Sequence, residues 1–215
     1  MKNNPDDKYI HHIKKIGKDK KNIKIFENFL TNDILKELYD ECLSQEWNEI
    51  PSSPGLMWSN KNINNNLIKN IFDKIGNDVK IIAEQAYGFD LLPSNMVSLV
   101  KWPTNSKMPK HMDDFAVFHY HISAIVYLND NYHGGNIRFV DHDLSIKPKP
   151  GTLIIFPGNK YYEHEVLEIT DGNRYTVPIW FKFKDSNFSG SGHALGFESA
   201  EEWKNVNWEK LQNER

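Results

Sequence analysis

One cysteine, Cys42, stands in 215 residues. An intrachain disulfide is therefore excluded, and so is a thiolate cluster for a metal; any metal has to sit on histidines and carboxylates. Long apolar runs are missing as well. None approaches the roughly 20 residues that a membrane helix needs, and the opening MKNNPDDKYI has no apolar segment of the signal-peptide kind. The expectation is a cytoplasmic protein without a membrane partner. Nor is there a basic excess. Lys and Arg number 26 against 29 Asp and Glu, a formal net charge of -3, with a pI near 6.3, which argues against a constitutive nucleic-acid partner. Only KKIGKDKKNIK is locally basic, and like charges in a run keep a segment wet. It reads as a solvated, flexible lead-in over 1–22.

What is present is apolar content of 39%, enough for one domain with its own core. In IKIFENFLTNDILKELYDECLSQ a short strand and a turn precede a helix. Ile34, Leu35, Leu38, Tyr39, Cys42 and Leu43 recur at helical spacing, and Thr31 or Asn32 can cap the start. A second helix runs through Ile68, Ile71, Phe72, Ile75, Val79, Ile82 and Ala86 and ends at Gly88. The loop between them, EWNEIPSSPGLMWSN, carries Trp47, Met57 and Trp58, which suit a lid over a site or burial against a sheet.

From about residue 95 the texture changes to short strand-like runs: NMVSLVKW, FHYHISAIVYL, NIRFV, GTLIIFP, YYEHEVLEI and RYTVPIWFKFK. Turn clusters such as NDNYHGG, KPKPG and TDGN separate them, the pattern of a β-sandwich or a closed barrel. Pro178 interrupts the last run and calls for an edge position or a bulge. A loop, DSNFSGSGHALG, leads to a C-terminal helix from Ser199, where Ser199 and Glu202 have capping-box spacing.

The chemistry gathers in KHMDDFAVF, residues 110–118. On a strand, His111 and Asp113 point the same way. His164 follows in a later strand and Arg174 ten residues beyond it. If the two strands are neighbours, His164 joins His111 and Asp113 and Arg174 stands one strand away, facing the same cavity. Two histidines and one carboxylate leave other coordination positions of a metal open, the non-haem Fe(II) arrangement, although Zn, Mn, Co and Ni accept the same donors. An arginine fork beside it pairs with a carboxylate and stays charged when buried. Thr176, two residues on, shares its strand face. His119 and His121 read as groove-lining or hydrogen-bonding residues, and Asp141, His142 and Asp143 as a solvated turn.

His111-x-Asp113, YLND at 127–130, GG at 134–135, GTLIIFP at 151–157, His164, and Arg174-x-Thr176 before Trp180 occur in an order that resembles the Fe(II)- and 2-oxoglutarate-dependent dioxygenases, most closely their prolyl 4-hydroxylase branch. The similarity spans roughly 23–184. It implies a mainly β fold with N-terminal helices and a double-stranded β-helix (jelly-roll, cupin-like) core, followed by a loop and C-terminal helix over 185–215. It implies Fe(II) on His111, Asp113 and His164, and Arg174 on the distal carboxylate of 2-oxoglutarate, with Tyr127 and Thr176 assisting. The implied reaction consumes O2 and the keto acid, releases succinate and CO2, and hydroxylates an unactivated C–H, with ascorbate as accessory reductant. Asp113 fills the position that related halogenases leave to chloride, so hydroxylation is expected. The expected substrate is a prolyl residue in a peptide or protein, with a small molecule as the other option. Trp102 and Met108 stand where the branch often has tyrosines. Two other readings fit fewer residues: a non-catalytic metal-binding jelly-roll module has no use for Arg174, and neither has a zinc hydrolase.

Overall fold

In the computed structural model the described residues are 12, 14–49, 57–58 (backbone only), 63–94, 97–114 and 120–185. His119, the C-terminal helix expected from Ser199 and the side chains of Met57 and Trp58 lie outside them. Helix α1 covers Asn32–Ser44 and buries Leu38 and Cys42; the Thr31 hydroxyl accepts from the Ile34 N–H at 3.5 Å. Helix α2, Asn66–Tyr87, buries a stripe of Ile68, Ile71, Phe72, Ile75, Val79, Ala83 and Tyr87. The Asn65 side chain caps its start, and Gly88 closes it at φ 73°, a left-handed conformation glycine adopts without a Cβ clash. Among the described residues no helix is long and apolar enough to cross a membrane.

The strands are β1 (Lys24–Phe26), β2 (Asn48–Glu49), β3 (Met57–Trp58), β4 (Val100–Trp102), β5 (Met108–His111), β6 (Ile122–Tyr127), β7 (His133–Gly134), β8 (Ile137–Phe139), β9 (Leu144–Ile146), β10 (Leu153–Pro157), β11 (His164–Val166), β12 (Ile169–Asp171) and β13 (Arg174–Phe181). They form a seven-stranded sheet in the order β1-β10-β6-β13-β4-β3-β2, a four-stranded sheet in the order β5-β11-β8-β9, and a β12-β7 pair. Neighbours are antiparallel throughout. This is the expected double-stranded β-helix with helices on one sheet.

Period-2 alternation divides the large sheet between two cores. Ala124, Val126, Leu153, Ile155, Tyr175, Val177, Ile179 and Phe181 face the helices and pack on the α1 and α2 stripes. The alternate residues face the small sheet: Tyr127, Ile154 and Phe156 meet Ile137 and Phe139, while Val100 and Trp102 meet Val166 and Met108. Each fully buried aliphatic or aromatic side chain contributes about 1.5–3 kcal/mol relative to exposure. Both faces of the large sheet are therefore fixed by apolar contact, and every inward polar residue stands out.

Pro178 lies in register opposite Ile125, within an unbroken ladder to β6. There is no bulge. The ladder to β4 on the other side ends at Thr176, opposite Val100, so Pro178 falls where one side of β13 is locally an edge and the missing N–H leaves no ladder bond unmade. The GG turn has a steric reason. A Cβ at Gly134, φ +69°, would stand 2.0 Å from the Glu168 carbonyl oxygen, because β7 runs that close to the chain leading into β12.

Within the lead-in expected to be flexible, residues 14–22 lie against the domain. Ile16 packs on the apolar cores. The Asn22 amide donates to the Ile16 carbonyl at 2.8 Å and to the Tyr162 hydroxyl at 2.9 Å, and that hydroxyl lies 3.1 Å from the Gly17 carbonyl it donates to. Charge pattern signals none of these bonds.

Candidate metal centre and its arginine wall

β5 and β11 are paired, with His164 directly opposite His111 and Val166 opposite Met108. Three residues on β11 thus span four on β5, a bulge that turns both His111 and Met108 to the inner face. The strand ends at His111, so the expectation that Asp113 shares its face by strand alternation does not hold. A bend carries Asp113 inward instead. Just beyond it the Asp114 N–H donates to the Gly158 carbonyl at 2.9 Å, tying the bend to the end of β10. A Cβ at Gly158 would meet the Tyr120 carbonyl oxygen at 2.0 Å, so only glycine lets these segments close up.

One ligand atom from each of His111, Asp113 and His164 lies within 4.8 Å of the others. His111 Nε2 is 3.6 Å from Asp113 Oδ1, His164 Nε2 is 3.9 Å from Asp113 Oδ2, and the imidazole centroids are 4.3 Å apart. The other ring nitrogens fix the tautomers. His111 Nδ1 lies 2.8 Å from the Pro109 carbonyl and His164 Nδ1 3.2 Å from that of Tyr162. A carbonyl only accepts, so both Nδ1 atoms carry hydrogen and both Nε2 lone pairs aim at the carboxylate. Acceptors converging on acceptors call for a cation between them. Burial, and then the neighbouring His111, push the His164 pKa down to about 4, which keeps its imidazole neutral and ready to ligate. Phe156 and Phe139 wall it in, with centroids at 4.6 and 5.7 Å.

The second half of the site comes from the facing sheet, which corrects the expectation that Arg174 stands one strand away. Arg174 heads β13 opposite Trp102 of β4, and Thr176 stands opposite Tyr127 of β6, so four side chains of three adjacent strands form one inward patch. Arg174 is 1% exposed. Its guanidinium lies over the rings of Trp102 and Tyr127, 4.6 and 5.0 Å from their centroids, and its Nη2 donates to the Tyr127 hydroxyl at 3.2 Å. Its Nε and Nη1 are buried and have no hydrogen-bond partner among the described residues. The Trp102 Nε1–H donates to the Thr176 hydroxyl at 3.1 Å, leaving the Thr176 hydrogen to give away. Burial raises the Tyr127 and Tyr132 pKa values and the arginine charge opposes it, so both phenols stay protonated donors.

Several neighbours escaped the sequence reading. Tyr132 beside Arg174 carried no motif. Tyr120 and Trp180 stack at 5.2 Å, and burial followed by the Asp113 charge lifts the Tyr120 pKa to about 12; the signal available was that Trp180 shares the strand parity of Arg174 and Thr176. His121 lies apart, accepting from the Phe183 N–H at 2.8 Å and stacked on that ring. Asp141 and His142 lie in a short 3-10 turn capped by Asp143, and none of the three joins the ligand set.

Two histidines and a carboxylate on one wall of a double-stranded β-helix, with a buried arginine on the other, form a candidate metal centre facing a cation. Residues 97–182 match the sequence profile of the 2OG-Fe(II) oxygenase superfamily. Human prolyl 3-hydroxylase 2 is 39% identical over 64 residues, 27% of this chain and 9% of that protein; the chain thus spans a small part of the curated relatives it matches. Two solved structures share the fold. A Pseudomonas putida prolyl-4-hydroxylase superposes with a TM-score of 0.64 at 20% identity, over 76% of this chain and 93% of that one. A Trichoplax adhaerens prolyl hydroxylase, solved with a hypoxia-inducible-factor peptide fragment, gives 0.66 at 14% identity, over 87% and 94%.

Proposed function

We propose that this chain is an Fe(II)- and 2-oxoglutarate-dependent dioxygenase of the prolyl 4-hydroxylase-like branch, hydroxylating a prolyl residue of a peptide or protein. The observation that carries the reading is the Arg174 guanidinium, buried with Nε and Nη1 unpartnered, on the wall facing a convergent His111, Asp113 and His164. A structural metal needs no such cation, and burying an unpaired charge is unfavourable unless a ligand completes it.

The donor set fits iron: neutral imidazole and carboxylate, occupying one side only. His111 and His164 would offer Nε2 and Asp113 an oxygen, each imidazole oriented through its Nδ1–H. Arg174, Tyr127 and the Thr176 hydroxyl would hold the distal carboxylate of the keto acid. When bound, iron, 2-oxoglutarate and O2 supply the oxidising power for C–H hydroxylation, with succinate and CO2 leaving. Phe139, Phe156 and Tyr127 keep water from the centre. Asp113 occupies the third protein position, which favours hydroxylation over halide transfer. Ascorbate would keep the iron reduced, and the lone buried Cys42 suits a reducing, cytoplasmic setting.

Support for a prolyl substrate comes from the local identity to human prolyl 3-hydroxylase 2 and the shared fold of peptide-bound Trichoplax prolyl hydroxylase. The test is succinate release with Fe(II), ascorbate and O2 against proline-containing peptides, with the peptide mass followed in parallel. Gain of one oxygen on proline, with succinate in proportion, is expected; fragmentation then assigns ring position 3 or 4. No keto-acid turnover with or without peptides, while iron is bound, would refute the activity and favour the binding-module reading.

A further inference from the structure

The YLND segment contains an asparagine that no ligand role explains. Asn129 follows β6, is 5% exposed, and lies beside the residue on which the cosubstrate reading depends. Its Nδ2 donates to the Asn173 carbonyl at 2.7 Å and its Oδ1 accepts from the Tyr175 N–H at 2.8 Å. One side-chain amide therefore clasps the backbone on both sides of Arg174. The amide orientation is unambiguous, because a backbone N–H only donates and a carbonyl only accepts. Nδ2 also donates to Asn131 Oδ1 at 2.6 Å, and Asn131 meets the Tyr39 hydroxyl of α1 at 3.1 Å, which holds the clasp from outside.

We infer that Asn129 is a positioning residue for cosubstrate recognition: by gripping the peptide units flanking Arg174 it sets the angle at which the guanidinium enters the cavity. The inference rests on the dioxygenase reading above. Tyr127 and Asn129 then act together, the tyrosine hydroxyl on the guanidinium and the asparagine on its backbone, two residues apart on one segment that is also bonded from the Leu128 N–H to the Tyr175 carbonyl at 3.1 Å. The leverage is large. The guanidinium ends a long side chain, so a backbone tilt of about 10° displaces it by roughly 1 Å, enough to spoil a paired hydrogen bond to a carboxylate. A merely structural asparagine would affect everything in the cavity, whereas a positioning residue affects the ligand's distal carboxylate alone.

Asn129→Asp tests this with nearly unchanged shape. An aspartate still accepts from Tyr175 but cannot donate to Asn173, and it sets oxygen against oxygen there. The measurement is an anaerobic titration of the Fe(II) protein with 2-oxoglutarate and, separately, with pyruvate, which has the chelating keto acid but no distal carboxylate, read by visible charge-transfer absorption. The expected result is about tenfold weaker 2-oxoglutarate binding with pyruvate and Fe(II) binding unchanged, so that the preference between the two keto acids falls. Equal weakening of both, or no change, would overturn the inference. If Asn129→Asp does not fold, Asn131→Ala removes only the outer support, and a few-fold loss of the same preference is expected; an unchanged preference overturns the inference there as well. Failure of the parent reading looks different, since the wild-type Fe(II) protein would then show no 2-oxoglutarate band, and both proposals would go together.

Discussion

Replacing Arg174 with methionine separates what this residue does for the fold from what it does for a ligand. In the ligand-free protein the guanidinium is stabilised by two aromatic faces at up to about 2 kcal/mol each when desolvated, and by one bond to Tyr127 of about 1.5–3 kcal/mol. Against these stands the desolvation of a cation whose Nε and Nη1 go unpartnered, several kcal/mol in real interiors. The terms nearly cancel, and methionine restores most of the volume and apolar contact. The stability of ligand-free Arg174→Met is therefore expected to lie within about 2 kcal/mol of wild type, by urea midpoint at constant m. Ligand binding should behave otherwise. Losing two charge-assisted hydrogen bonds to a carboxylate removes about 3–5 kcal/mol, or some 10²–10⁴-fold in 2-oxoglutarate affinity. The assay pairs the anaerobic charge-transfer titration with thermal melts of the iron-loaded protein. Wild type at a hundredfold excess over its Kd gains about 2.7 kcal/mol from the keto acid, and the variant gains almost nothing. A variant several kcal/mol less stable that binds 2-oxoglutarate normally would refute the reasoning and make Arg174 a structural cation.

Other perturbations follow from the same geometry. Trp102→Phe keeps a π face under Arg174 but removes the N–H that orients the Thr176 hydroxyl; a loss of roughly 5–10-fold in 2-oxoglutarate affinity without loss of iron is expected, and an unchanged titration would remove Thr176 from the carboxylate site. Gly134→Ala places a Cβ against the Glu168 carbonyl at positive φ, so a destabilisation of about 2–4 kcal/mol is expected in urea; a normal midpoint would show that β7 can shift. Because His164 has its pKa lowered to about 4 by burial and His111, the folded chain takes up that proton later than the unfolded chain. Its contribution to metal-free stability is full above the unfolded value near 6.5 and is lost as pH falls from there toward 4. His164→Asn should flatten that part of the profile, and parallel profiles for wild type and variant would contradict the assigned burial.

The amphipathic helices and their caps were legible in the sequence, and so was the pairing of Arg174 with Thr176 on one strand face, because helical and strand periods belong to the local backbone. The donors were legible by type and order: with one cysteine and few histidines at metal spacing, His111, Asp113 and His164 were the set that a family pattern could pick out. Which face of which sheet each donor reached was another matter. Tertiary pairing placed a bulge in β5 and ended that strand before Asp113, so the carboxylate arrives by a bend that alternation does not describe. It also put Arg174 on the sheet opposite the histidines, where sequence distance suggested a neighbouring strand. The lead-in at 14–22 looked like a solvated charge run, yet Tyr162, more than a hundred residues later, holds it by hydrogen bonds. Asn129 read as a landmark until β6 and β13 lay side by side and its amide met both peptide units flanking Arg174. Side-chain period and donor chemistry are properties of a few consecutive residues, whereas the facing of two walls depends on contacts that exist only after distant strands pair.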